Sequence, residues 1–223
     1  MLNWERLAAA SRVIRWDARG HGESGGADDS STYRWESLAA DELALADTLG
    51  IDRFVASGVS MGAATALHAA VLAPERIVGL VLVLPPTAYE TRPAQSEEYA
   101  RGATMIEEHG VEVYVEYVNS KPVPEILRNF ADAYRFTPAI SAELFPTVLR
   151  GAAASDLPPP DDVRAIPVPV LLLAWTGDDG HPLSTAERLL ELLPDAKLVV
   201  AERLRDVVGW TDLVASFLEG VRA

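Results

Sequence analysis

The chain has 223 residues, 49% hydrophobic and 23% charged, the balance of an ordinary globular protein able to bury one sizeable core. Its formal net charge of −14 offers no basic face to nucleic acid, and the lack of cysteine excludes disulfides, thiol catalysis and cysteine-ligated zinc. No apolar run approaches bilayer length and no signal-peptide pattern opens the sequence, so a cytoplasmic protein with no membrane partner is expected.

In chain order, Arg12 to Asp17 reads as a strand, followed by the glycine-rich loop Ala18 to Gly26. Tyr33 to Thr48, with Leu38, Leu43, Leu45 and Leu49, reads as a helix ended by Gly50. Arg53 to Ser57 is a short β-branched run, a buried strand, and Ala63 to Ala73 is an alanine-rich helix. Ile77 to Leu84 is nearly continuous in apolar residues, as a parallel strand covered on both faces should be, and Pro85-Pro86 stops it. Alternation of strand and helix predicts an α/β architecture, doubly wound around a mostly parallel sheet with right-handed crossovers.

From Arg92 to Gly151 the pattern turns helical, with scattered prolines and no strand, and reads as an inserted cap. The division is a core of residues 1–90 and 156–223 and a helical cap of residues 91–155. Leu157 to Asp162 reads as a stiff linker back to the sheet. Val168 to Ala174 is the next buried strand. Ser184 to Leu193 is a helix in which Ser184 and Glu187 have capping-box spacing. Lys197 to Ala201 is a last strand, and Val207 to Leu218 a closing helix.

Between the Arg53 strand and the Ala63 helix stands Gly58-Val59-Ser60-Met61-Gly62. G-x-S-x-G in that position is a nucleophile elbow: a strained strand-to-helix turn lifts the serine above the sheet, with glycines where larger neighbours would block it. Ser60 is thus the candidate nucleophile, and the Met61 N–H, at the helix N-terminus, the candidate oxyanion donor. The plain alternative is a glycine-rich turn bearing a solvent serine.

Val13-Ile14-Arg15-Trp16-Asp17-Ala18-Arg19-Gly20-His21-Gly22-Glu23-Ser24, then the elbow, then Pro74-Glu75-Arg76-Ile77, resembles the α/β-hydrolase superfamily. Small esterases and enol-lactone hydrolases are its most similar members. The resemblance covers almost the whole chain and implies acyl transfer to water through a Ser, Asp, His triad in that order. Family members place the acid in the loop after the penultimate strand, four residues before a proline. Asp178 matches, four before Pro182, with Asp179 the runner-up; two aspartates capping a turn is the other reading.

The histidine departs from the family pattern. After the last strand, where the family carries it, this chain reads Glu202-Arg203-Leu204-Arg205-Asp206. Of the four histidines, His21 lies in the loop the family uses structurally, His68 on the elbow helix and His109 near the end of a cap helix. Only His181 follows the acid and is left as the base. Three residues is a tight span for Asp178 to orient a ring that also reaches Ser60, so packing within the loop is the favoured reading of His181 and weak activity is expected.

The front also departs from the family. Met1 to Trp4 resembles the helix after the family's oxyanion loop, and the family's third strand would stand between the Arg12 and Arg53 strands. Without it, direct parallel pairing of those two strands, a second copy in a homodimer, or an incomplete reading frame are the repairs to expect. The expected function is a serine hydrolase of a small carboxylic ester or lactone. The alternative is a weak or inactive relative that binds a small ligand. No cofactor and no metal are expected, and the partner is a small-molecule substrate.

Overall fold

The computed structural model describes residues 2–133 and 135–222; Met1, where the reading of the N-terminus starts, lies outside them. At its centre four parallel strands stand in sequence order: β1 (Phe54–Val59), β2 (Ile77–Val83), β3 (Val170–Trp175) and β4 (Ala196–Ala201). Each crossover carries helix, because parallel neighbours cannot be joined by a tight turn.

The strand period of two divides β2 and β3 between two cores. Leu80, Leu82, Val170 and Leu172 face α2 (Trp35–Thr48), α3 (Met61–Leu72) and α8 (Leu183–Leu192). Val81, Val83, Leu171, Leu173 and Trp175 face α1 (Trp4–Ala8), α9 (Leu204–Val208) and α10 (Trp210–Arg222). Leu82 and Leu172 are fully buried, each contributing about 1.5–3 kcal/mol relative to exposure. This double coverage makes the strands read as unbroken apolar runs.

Between β2 and β3, α4 (Arg92–His109), α5 (Val111–Ser120) and α6 (Phe145–Ala153) enclose a smaller cluster of Ala103, Ile106, Tyr114, Phe145 and Leu149. Arg92 fastens the two ends of this excursion. Buried at the start of α4, it donates to the Ser155 carbonyl at 2.6 Å, to Thr87 Oγ1 at 3.3 Å and to the Ala152 carbonyl, and lies 4.2 Å over the Trp35 ring.

Arg12 to Asp17 is not a strand. The segment has no regular secondary structure and belongs to no ladder, and Ile14 and Trp16 are exposed at 39% and 37%. Direct pairing with β1 does not occur: β1 pairs only with β2 and is an edge of the sheet. Local apolarity makes a segment fit for a strand, but a strand exists only with a backbone partner, and among the described residues no strand pairs with this one.

Other boundaries move for identifiable reasons. The linker's Pro160 opens a short helix, α7 (Pro160–Arg164), proline being well suited to a first helical turn. α8 begins at Leu183 with Pro182 as its cap and no side-chain capping bond, so Ser184 lies inside the helix and the Ser184–Glu187 capping box does not form. The closing helix is two, α9 and α10, divided at Gly209.

Candidate active site

Ser60 sits where β1 becomes α3, as the N-cap of that helix, with φ 54° and ψ −116°. A positive φ is costly for a side-chain-bearing residue and is held here by its surroundings. The Ser60 N–H donates to the Val83 carbonyl at 3.0 Å, tying the turn to the neighbouring strand. Ala63 and Ala64 donate to the Ser60 carbonyl at 2.9 and 3.1 Å, which starts the helix. The Met61 N–H, first in the helix, is one of the N-terminal amides that have no intrahelical acceptor.

The two elbow glycines do different work. A Cβ on Gly58 would lie 2.1 Å from the carbonyl carbon of Gly62 and 2.3 Å from its oxygen, whereas a Cβ on Gly62 meets nothing within 4 Å. Only Gly58 is required by close approach of the backbone. Gly58→Ala should therefore destabilise the protein by about 3 kcal/mol or more. Gly62→Ala should leave stability unchanged or raise it by up to about 1 kcal/mol through helix propensity. Urea unfolding of both variants checks the contrast.

Asp178 and His181 come from the loop after β3. The loop turns at Gly177, φ 73°, and closes on itself through the His181 N–H donating to the Asp178 carbonyl at 3.2 Å. The Thr87 N–H donates to the Gly180 carbonyl at 3.2 Å, linking this loop to the one after β2. Glu125, in the helical segment, lies over it: a Cβ on Gly177 would meet Glu125 Cβ at 3.4 Å.

Within this turn His181 Nδ1 is 2.9 Å from Asp178 Oδ2 and His181 Nε2 is 2.8 Å from Ser60 Oγ. A carboxylate only accepts, so Nδ1 carries the proton and donates to Asp178; Nε2 of the neutral ring then accepts from the Ser60 hydroxyl. The side chains of His181 and Asp178 are 20% and 10% exposed. Asp178 Oδ1 accepts the Gly180 N–H at 3.0 Å, and Oδ2 also accepts the Trp175 indole N–H at 2.7 Å. Burial works to raise the Asp178 pKa, but the hydrogen bond and charge of His181, with the Trp175 and Gly180 donors, outweigh it and hold the carboxyl below its ordinary value.

The structure thus brings Ser60, His181 and Asp178 together, and Met61 follows Ser60 as the first residue of α3. Asp179, the runner-up acid, is exposed and makes none of these contacts. The remaining histidines are elsewhere: His21 Nδ1 lies 2.9 Å from the Arg19 carbonyl, His68 Nε2 lies 2.9 Å from the Asp156 carbonyl, and His109 is exposed beside Glu108. After β4, where the family resemblance places a histidine, Asp206 Oδ2 accepts the N–H groups of Glu202 and Arg203 at 3.3 and 3.0 Å. A cleft of about 560 Å³ bounded by His68, Tyr89, Arg92 and Asp156 does not include Ser60. Trp175 was not marked by sequence reasoning; its signal is an indole at the end of a buried strand, where the N–H seeks an acceptor.

The elbow, the parallel sheet and the loop after β3 have the arrangement of one family, and a model of the alpha/beta hydrolase family matches residues 2–207. The chain belongs to the alpha/beta hydrolase family. As a member, it is 41% identical over 83 residues to the dihydrolipoyllysine-residue acetyltransferase component of the acetoin cleaving system from Pseudomonas putida; that stretch is 37% of this chain and spans only 22% of the relative's length. It is 26% identical to N-formylmaleamate deformylase from Pseudomonas putida, over 96% of this chain and 78% of that protein. The enol-lactonase from Burkholderia xenovorans LB400 shares its fold, with a TM-score of 0.76 at 24% identity over 97% of this chain and 85% of the other. Among the described residues no helix of this alpha/beta hydrolase family member is long and apolar enough to cross a membrane.

Proposed function

We propose that this chain is a serine hydrolase that cleaves small carboxylic esters or lactones through an acyl-enzyme. The reading is carried by one observation: the continuous line Ser60 Oγ, His181 Nε2, His181 Nδ1, Asp178 Oδ2, in steps of 2.8 and 2.9 Å. Ser60 Oγ attacks the carbonyl carbon while its proton passes to His181 Nε2. The tetrahedral oxyanion is met by the Met61 N–H and the positive end of α3. Collapse of that intermediate breaks the ester bond, and His181 returns the proton to the leaving alkoxide. Water then repeats the sequence on the acyl-enzyme, giving the carboxylic acid and free Ser60. Asp178 keeps the ring in the tautomer that these transfers need and stabilises the imidazolium.

The helical segment 91–155 serves as a cap that bounds the substrate space. The buried loop Leu84 to Thr87 beside the acid loop favours an uncharged or weakly anionic acyl group. A ligand-binding relative with slow turnover is the second reading. One observation favours it: among the described residues β1 is an edge strand, and no strand beside the elbow on that side presents a second N–H for the oxyanion.

Turnover of p-nitrophenyl acetate and of a simple lactone tests the proposal. The wild-type chain should hydrolyse both, and Ser60→Ala should lose at least about 10³-fold in kcat. Undiminished turnover by Ser60→Ala would overturn it.

A further inference from the structure

Resting on the Ser60, His181 and Asp178 reading above, we propose that Trp175 is a positioning residue of the reaction: its indole N–H fixes Asp178 Oδ2 in the place from which that oxygen holds the His181 ring. The three-residue spacing gives this part its importance. Asp178 and His181 belong to one short turn, so their mutual contact anchors neither of them to the sheet. The bonds that shape the turn, from the His181 N–H to the Asp178 carbonyl and from the Gly180 N–H to Oδ1, are internal to it. The indole bond, 2.7 Å long, joins the carboxylate to the last residue of β3.

Trp175 is a rigid donor. It is 2% exposed and packs with Leu127, Val207 and Trp210, its ring stacked on that of Trp210 at 6.1 Å and 28°. Among the described residues the buried indole nitrogens of Trp35 and Trp210 have no protein partner, whereas that of Trp175 meets Asp178 Oδ2. The oxygen that the Trp175 indole meets is the same one that faces His181. Oδ2 receives two donors, one fixed in the core and one on the ring that must move protons. The fixed donor sets the direction of the lone pair left for the ring and moderates how strongly the carboxylate retains the imidazolium.

The test uses Trp175→Phe and, to preserve the stacking, replacement of Trp175 by β-(3-benzothienyl)alanine, in which sulfur stands where the N–H was. With the indole donor gone, the carboxylate is less well placed and accepts more strongly from the protonated ring. The expected result is a loss in kcat of roughly tenfold, with KM within about twofold. The acid-limb midpoint of kcat/KM should move up by about half a pH unit. The benzothienyl variant should show both changes with an unaltered melting temperature, even if the phenylalanine variant is destabilised. An isostere with the wild-type kcat and midpoint would overturn the proposal, as would a fall in kcat with no movement of the midpoint. Ser60→Ala and His181→Ala, run in parallel, separate the two ideas: turnover that survives them defeats the triad, whereas their inactivity beside an unaltered isostere defeats only the role of Trp175.

Discussion

His181→Ala is expected to lower kcat/KM on an activated ester by about 10⁴- to 10⁶-fold. The size follows from there being no second histidine against Ser60 Oγ among the described residues. His181 Nε2 is the histidine nitrogen within hydrogen-bond distance of Ser60 Oγ, at 2.8 Å. His21 and His68 are bound to backbone carbonyls, and His109 is on the surface of the helical segment. Removing the imidazole leaves a serine hydroxyl at its ordinary, very low nucleophilicity, with only the Met61 N–H and substrate binding to assist. Stability should be little affected, since the ring is partly exposed and its hydrogen bonds are those to Asp178 and Ser60. Steady-state kinetics with a melting curve on the same sample checks both statements.

Asp178→Asn is expected to cost about 10⁴-fold in kcat, and Asp179→Asn no more than about twofold. The amide is nearly isosteric, but its NH₂ can face Nδ1, which then accepts and leaves the proton on Nε2. Such a ring cannot take the serine proton. The same substitution disturbs the Trp175 and Gly180 donors, which meet the two carboxylate oxygens in the native turn. Asp179 is exposed and outside this network, so it serves as the control within the same loop. Because the Asp178 carboxyl is held below its ordinary value, it stays ionised down to acid pH. Its contribution to stability is present above the unfolded carboxyl pKa of about 3.9 and is lost as pH falls through its lower folded value. Equal losses for the two asparagine variants would show that the acid had been misplaced.

The parts legible in the sequence are those whose cause is local. β2 and β3 announce themselves because strands covered on both faces must be apolar throughout, and Leu80, Leu82, Leu171 and Leu172 are. The elbow is legible because Gly58 has no room for a Cβ against Gly62. Arg12 to Asp17 has the composition of a strand, but pairing is a property of two segments and no described segment pairs with it. The ends of α8 and the break at Gly209 depend on a single residue of helix phase, which composition does not resolve.

His181 is the instructive case. A span of three residues looks too short for a ring to touch both Asp178 and Ser60 when the loop is imagined as extended. The loop is a tight turn, closed by the His181 N–H on the Asp178 carbonyl, and the two ring nitrogens face opposite ways. Tightness of the turn, not length of chain, brings the ring between Asp178 and Ser60. The contact of Trp175 with Asp178 was beyond reach for the same reason: it depends on the path of the chain through Thr176 and Gly177, where φ is 73°.

Covalent labelling tests the working of the triad most directly. The folded wild-type chain, treated with a fluorophosphonate probe and mapped by peptide mass spectrometry, should carry the adduct on Ser60, and His181→Ala should leave Ser60 unlabelled. A wild-type Ser60 that stays unlabelled, or one labelled as readily in His181→Ala as in the wild type, would contradict it.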